Sequence, residues 1–275
     1  MARAFAPAKI NLSLHVTGQT AEGYHLLDSL VVFADVGDWV EVAPGDLTLT
    51  VTGPQAGGVP DDASNLVWKA ARWLKTPAQI TLEKHLPTAS GIGGGSSDAA
   101  ATLRALCAMT GQDLPDPART AALGADLPVC LVAEPRRMTG IGEHLHTIPD
   151  LPPLHFVLAN PGVAVSTSSV FNALNSKTNR PMPEGLPDWP DTPGFARWLA
   201  AQRNDLELPA RSLAPAIGVT LTRLAQTDGA LLSRMSGSGA TCFALFETRP
   251  QADAAAEALR AVHPDWWITA ASIRS

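Results

Sequence analysis

A single tyrosine, Tyr24, and three cysteines occur in 275 residues, and aromatic residues make up only 5% of the chain. Cys107, Cys130 and Cys242 are odd in number, far apart and set among apolar neighbours. That pattern excludes a disulfide framework and predicts buried free thiols in a reducing compartment. No C-x-x-C or H-E-x-x-H is present, so there is no metal-ligand set to name. No apolar run reaches the roughly 18 residues that a membrane-spanning helix requires, and Met1-Ala-Arg-Ala-Phe-Ala-Pro has no signal-peptide core. Lys and Arg total 20 against 26 Asp and Glu, a net charge of -6. The basic residues are scattered, with Arg136-Arg137 the densest run, which argues against a nucleic-acid partner. The expectation is a soluble cytoplasmic protein, without membrane or nucleic-acid partner, long enough for about two domains.

What the chain does have is glycine in one place. Pro87-Thr88-Ala89-Ser90-Gly91-Ile92-Gly93-Gly94-Gly95-Ser96-Ser97-Asp98 follows a strand-like segment and runs into an alanine-rich helix former. Glycines let backbone N–H groups approach a ligand closely. A helix N-terminus adds unpaired N–H groups and partial positive charge. Together they predict an anion site suited to a polyphosphate, with Ser96 and Ser97 placed to cap the helix or to reach a phosphate or metal. The G-x-G-x-x-G dinucleotide pattern fails, because its last position counted from Gly91 is Ser96, and no Gly-Lys pair exists for a Walker A loop.

Around this loop the periodicities outline an α+β protein. Ile10, Leu12, Leu14 and Val16 alternate with Lys9, Asn11, Ser13 and His15, a strand whose second face is polar. Residues 30–42 form an apolar run interrupted by Gly37-Asp38, and 47–51 alternate again. Ser64-Asn65 opens a helix through residue 73. Residues 127–133 have the composition of a buried strand, and 138–148 that of another with glycines. Proline-rich Pro149-Asp150-Leu151-Pro152-Pro153 marks a boundary between domains at 1–150 and 151–275. Beyond it come a strand at 154–160, a short helix from Ser168, an exposed loop at 180–193, helices at 194–202 and 212–227, a hairpin at 230–246, a helix at 251–262 and a strand at 266–271. Reduced to essentials, the second half reads β-α-β-β-α-β, the split-βαβ or ferredoxin-like pattern.

Pro7-Ala8-Lys9-Ile10-Asn11-Leu12, the loop at 87–97 and Ser236-Gly237-Ser238-Gly239-Ala240-Thr241 resemble, in that order, the three signature motifs of the GHMP kinases. Gly23-Tyr24-His25-Leu26-Leu27, Gly124-Ala125-Asp126-Leu127-Pro128-Val129, Gly140-Ile141-Gly142-Glu143 and Asn160-Pro161-Gly162 are similar to the branch that phosphorylates the 2-hydroxyl of a cytidine diphosphate-linked methylerythritol. The resemblance implies a two-domain fold, with an N-terminal half like ribosomal protein S5 domain 2 and a C-terminal ferredoxin-like half. It also implies ATP and Mg²⁺ as cofactors, a role in non-mevalonate isoprenoid biosynthesis, and a monomer or weak homodimer. A mevalonate or homoserine kinase of the same superfamily, or a silent ATP-binding protein on the same fold, are the alternatives. Ala89 and Ser90 depart from the family, which more often has Gly and a small residue there.

Carried over residue by residue, the resemblance makes Asp126 the general base and Lys9 its partner at the acceptor hydroxyl. Spacing alone leaves Asp126 open as a turn carboxylate and Lys9 as a solvated strand lysine. Pro87, Thr88, Ala89, Ser90, Gly91, Ile92, Gly93, Gly94, Gly95, Ser96 and Ser97 would hold ATP phosphates. Asn65 and Leu66 would line the adenine pocket, though Asn65 is equally a helix cap. Tyr24 and Phe171 would sandwich a cytosine whose edge meets His25, with turn packing and helix core as their alternatives. Asn11 and Thr167 would touch substrate. Gly237 and Gly239 would approach it with backbone, although a hairpin turn also demands glycine. Ser97 is the candidate protein contact for Mg²⁺.

Overall fold

The computed structural model describes residues 1–274. Two sheets and a set of helices carry the chain. The first sheet begins with two long strands, β1 (Ala2–Gln19) and β2 (His25–Pro44), joined as an antiparallel hairpin. It continues with β3 (Thr48–Thr52), β4 (Ala78–Glu83), β5 (Arg136–Gly140) and β6 (His144–His146) in the order β3-β4-β2-β5-β6, β1 lying against β2. Only the β3–β4 pair is parallel. Helices α1 (Leu66–Leu74), α2 (Gly94–Thr110), α3 (Pro117–Thr120) and α4 (Leu127–Val132) belong to this half.

The second sheet contains β7 (His155–Asn160), β8 (Leu232–Met235), β9 (Cys242–Phe246) and β10 (Trp267–Ser272) in the order β10-β7-β9-β8, all antiparallel. In chain order within this sheet that is 4-1-3-2, the arrangement of the split βαβ read from the sequence. Between β7 and β8 lie α5 (Thr167–Asn172), α6 (Thr192–Ala200), α7 (Glu207–Leu213) and α8 (Ala216–Ala225), and α9 (Arg249–Val262) precedes β10. The sheets share a core: Ile10, Leu12, Leu30 and Val32 of the first pack with Phe156, Leu158, Phe243 and Leu245 of the second.

The strand β1 explains how the halves join. Its apolar set is buried as expected, but so are Lys9, Asn11, Ser13 and His15, so its polar face is interior rather than solvated. Pairing with β2 shifts register between Pro7 and Lys9, between Asn11 and Ser13, and between Val16 and Gly18. Such bulges re-aim backbone groups. The amides of Lys9, Leu14, Asn11 and Val16 donate away from β2, to Ile92 O (2.9 Å), Arg203 O (2.8 Å), Ser236 Oγ (3.1 Å) and Asp205 Oδ2 (2.8 Å). Arg234 adds donors to Leu12 O, Leu199 O and Gln202 O, binding β1 to the end of α6.

Four local expectations are corrected. Residues 127–133 form the helix α4 rather than a strand. A short apolar run does not distinguish the two, and Pro128 in the first turn, where its missing N–H costs nothing, favours helix. The apolar run at 30–42 is not broken at Gly37-Asp38, which lie within β2. A Cβ at Gly37 would stand 2.2 Å from Ala6 O, so glycine there admits the close approach of β1. The helix at 212–227 is two, α7 and α8, divided at Ala214-Pro215, because proline removes a donor and biases its predecessor away from helix. The segment 180–193 is not simply exposed: Met182 and Trp189 are buried in the shared core. Asp28 holds this strap, accepting from Met182 N (2.7 Å) and from Arg137 Nε and Nη2 (2.8 Å each).

His15 is buried beside this strap. Its Nε2 accepts from Arg203 N–H (3.2 Å), which puts the proton on Nδ1, facing Arg180 O at 3.1 Å. Burial lowers its pKa below the ordinary 6.5, against the opposing pull of the Arg180 carbonyl. The unfolded chain therefore takes up this proton first as pH falls, and the stabilisation present above 6.5 is lost below it. Urea unfolding between about pH 7.5 and pH 5 should show stability declining toward acid, and His15→Gln should flatten that part of the curve. An unchanged slope in the variant would remove His15 from the titration.

Candidate active site

A cavity of 1040 Å³ opens between the two halves. That exceeds the usual size for one small ligand. Its floor is the glycine loop. Gly93 takes the N-cap position of α2 in the left-handed conformation, φ 65°, and no side chain caps the helix. The first-turn amides of Gly94, Gly95 and Ser96 therefore have no intrahelical acceptor, and all three residues line the cavity. The loop is held from behind. Thr241 N donates to Ser90 O (3.0 Å) and Ser236 Oγ to Gly91 O (3.0 Å). A Cβ at Gly91 would lie 2.5 Å from Ser236 O, and one at Gly237 2.6 Å from Gly91 O, so loop and hairpin touch backbone to backbone. Ala89 adopts φ 48°, the conformation that favours glycine at this position.

Pro87, Thr88, Ala89, Ser90, Gly91 and Gly93 line the same cavity. Ile92 and Ser97 do not. Ile92 is an apolar core residue whose carbonyl receives Lys9 N. Ser97 is wholly buried. Its hydroxyl donates to Pro7 O (2.7 Å) and its amide to Gly93 O (2.8 Å), which leaves no donor for a phosphate and argues against the metal role expected for it. Asn65 and Leu66 line the cavity with Val59 and Pro60, Leu66 beside Gly95. The Asn65 side chain is committed locally, accepting from Val67 N (2.9 Å) and donating to Pro60 O (2.6 Å), so it shapes the cavity as a helix cap.

Lys9 and Asp126 meet at the cavity wall with Nζ–Oδ1 2.5 Å. The Lys9 side chain is 4% exposed and that of Asp126 39%, so the ammonium is enclosed while the carboxylate faces open space. Asp126 stands at the N-cap of α4 yet makes no capping bond, which keeps its carboxylate free for the cavity. The Lys9 stem lies against the loop, 3.0 Å from a Cβ built on Gly93. Asn11 donates to Ser29 Oγ (2.8 Å), while its Oδ1 is buried without a partner. A lone buried acceptor is costly unless something donates to it, and Asn11 lines the cavity.

Tyr24, His25, Phe171 and Thr167 also line the cavity. Here the arrangement differs from the expected sandwich. His25 itself stacks on Phe171, centroids 4.6 Å apart at 24°, and Tyr24 is 62% exposed. The Phe171 face is therefore covered by imidazole. His25 Nε2 has no partner, and burial together with Lys177 lowers the ring's pKa, favouring the neutral form. Thr167 Oγ1 bonds Ser238 Oγ (2.8 Å), and the cap of α5 is Ser166. Gly237 and Ser238 border the cavity; Gly239 does not, its amide donating to Ser236 O inside the turn.

Sequence reasoning missed a buried triad beneath the loop. Lys84 bonds Asp38 and, at 2.7 Å, Asp98. Asp38 also accepts from His85 N (2.5 Å) and Leu86 N (2.8 Å), pinning the chain that leads into the loop. Burial pushes the Asp98 carboxyl up to about 8 against the attraction of Lys84. Burial also works against the Lys84 ammonium, but its two carboxylates prevail and raise its pKa. Asp98 Oδ1 has no partner, and Lys84 and Asp98 both border the cavity. The residues lie at positions 38, 84 and 98, and no local period links them.

Comparison with known proteins bears on this arrangement. The model of the GHMP kinases N terminal domain matches residues 65–134, which include the glycine loop and Asp126, and that of the GHMP kinases C terminal region matches 190–265. A 4-diphosphocytidyl-2-C-methyl-D-erythritol kinase of Cereibacter sphaeroides is 59% identical over 98% of both chains. One of Dinoroseobacter shibae is 58% identical over 98% of this chain and 94% of its own. A crystal structure of 4-(cytidine 5'-diphospho)-2C-methyl-D-erythritol kinase superposes with TM-score 0.78 at 34% identity, covering 99% of this chain and 100% of that one. Mevalonate kinase from L. major, in complex with R-mevalonate, shares the fold alone, with TM-score 0.67 at 18% identity over 100% and 96% of the chains. The chain belongs to the GHMP kinases, in the family that these 4-diphosphocytidyl-2-C-methyl-D-erythritol kinases form.

The two adjacent serines should separate by experiment. Ser97→Ala leaves Pro7 O without its donor and should destabilise by about 1–3 kcal/mol, while ATP affinity, measured by titration calorimetry, stays unchanged. Equal loss of ATP affinity in Ser97→Ala and Ser96→Ala would contradict this division.

Proposed function

We propose that the protein transfers the γ-phosphoryl group of ATP to the 2-hydroxyl of 4-diphosphocytidyl-2-C-methyl-D-erythritol, in non-mevalonate isoprenoid precursor biosynthesis. The observation that carries this reading is the Lys9–Asp126 pair, which faces one cavity with the phosphate loop and with the Tyr24, His25 and Phe171 cluster. The nucleotide lies with its base toward Leu66 and its phosphates on the amides of Gly94, Gly95 and Ser96. The cytosine end of the acceptor goes to Tyr24 and Phe171, displacing His25 from the Phe171 face so that its free Nε2 meets the base edge.

Asp126 takes the proton of the acceptor hydroxyl as the oxygen attacks the γ-phosphorus. The new P–O bond forms, the bond to the β-phosphate oxygen breaks, and ADP departs. The enclosed Lys9 ammonium stabilises negative charge on the reacting oxygens. Asn11 Oδ1 accepts from a donor on the acceptor molecule. Mg²⁺ suits this site: the unpartnered Asp98 Oδ1 and the Ser96 hydroxyl are the protein groups that would hold it, with phosphates supplying most ligands. It would neutralise phosphate charge there. We place the reaction in the cytoplasm, in a monomer or weak homodimer, since residues of a single chain, from the phosphate loop to Phe171, line the cavity.

Purified protein with Mg-ATP should release ADP and give the phosphorylated product with the cytidine acceptor, and not with mevalonate or homoserine. Turnover of either of those instead would sink the substrate assignment. Asp126→Asn should bind ATP normally and lose about 10²–10⁴-fold in kcat; near wild-type turnover would remove the base. Tyr24→Ala should raise the KM for the cytidine acceptor about 5- to 100-fold, the scale of one base stack, with the KM for ATP unchanged. An unaltered acceptor KM would end the stacking role.

A further inference from the structure

Arg104 is a partly buried cation for which the reaction scheme has no use. It lies on α2, roughly 15 Å along the helix from Gly94. Its guanidinium has no carboxylate partner among the described residues, and burial lowers its pKa to about 10. Removing a charge from water without a counter-ion is costly. Arg104 instead satisfies three carbonyls. Nη1 donates to Cys130 O (2.9 Å) and Leu131 O (3.3 Å), and Nη2 to Phe5 O (2.8 Å).

These carbonyls belong to the two elements that carry the reacting pair. Phe5 is on β1, four residues before Lys9. Cys130 and Leu131 are in the last turn of α4, and Cys130 N donates to Asp126 O (3.1 Å). Helix α4 spans six residues, too few to be stable alone, so its position depends on what grips its ends. The helix α2 packs on both β1 and α4. The planar fork of Arg104 reaches from it to both at once, a geometry that a lysine ammonium lacks.

We propose that Arg104 is a positioning residue for phosphoryl transfer, holding α4 against β1 so that the Asp126 carboxylate meets the acceptor hydroxyl beside Lys9. This rests on the reading of Asp126 as general base. The test is Arg104→Lys in the wild-type chain and in the Asp126→Asn background, with full steady-state kinetics and thermal melts of all four proteins. In the wild-type chain the substitution should lower kcat about 10- to 100-fold, the scale of a small misplacement of a reacting group, with both KM values within about twofold. In the Asp126→Asn background it should change kcat by less than about twofold, because no base is left to position.

Equal losses in the two backgrounds, unchanged kcat in the single variant, or a rise in KM alone would each overturn the proposal. If Arg104→Lys melts below the assay temperature, Arg104→Gln assayed beneath its own midpoint carries the same comparison. Failure of the cytidine acceptor with turnover of another would sink the substrate reading only, and the Arg104 comparison would run on that acceptor. Wild-type turnover by Asp126→Asn would remove the base and this role with it.

Discussion

Everything else in this molecule depends on the edge of β1 that β2 leaves unpaired. A strand edge is a row of donors and acceptors that must find partners. Here those partners are the site. The amides of Lys9 and Asn11 receive the glycine loop and the 236–241 turn, and those of Leu14 and Val16 receive the approach to α7. Two arginines complete the edge from the carbonyl side, Arg104 at Phe5 and Arg234 at Leu12, each also gripping carbonyls at the end of a helix. The side chains of the same strand are sorted by its alternation. Ile10 and Leu12 enter the shared core, while Lys9 and Asn11 turn toward the cavity.

Two buried lysines illustrate how charge is divided. Lys84 meets two carboxylates in a nearly dry setting and holds the chain before the loop in place. Lys9 meets one, and that one faces open space. Such a buried cluster fixes backbone, since removing Lys84 would leave two carboxyl groups buried without their cation. An enclosed ammonium with a half-open partner is instead a place where an incoming hydroxyl completes the arrangement.

The parts legible in the sequence were those whose signal is local. Four glycines in five residues announced the loop, strict alternation announced β1, and the β-α-β-β-α-β order of the second half announced the second sheet. Where the deciding contact is distant, the sequence was silent. Asp38, Lys84 and Asp98 have meaning only once β2, β4 and α2 are packed together. Ser96 and Ser97 looked interchangeable because a helical step of one residue turns one toward the cavity and the other toward Pro7, and the helix start had to be known to the residue. Residues 127–133 read as a strand because a seven-residue apolar segment carries too little period to choose a conformation. Tyr24, His25 and Phe171 all line the cavity, but which ring lies on which is a matter of packing in the free protein that no motif encodes.

The backbone contact between Gly91 and the turn at 236–241 has a consequence for how the chain is made. The Gly91 carbonyl takes its hydrogen bond from a serine 145 positions later. During synthesis the Ser90 and Gly91 carbonyls emerge early, while their donors at Thr241 and Ser236 arrive only after more than half of the polypeptide has followed. The nucleotide cradle is therefore complete only when the hairpin of the second sheet has formed behind it. A ribosome stalled before that point carries a nascent chain with the phosphate-loop sequence and without the hairpin that backs it.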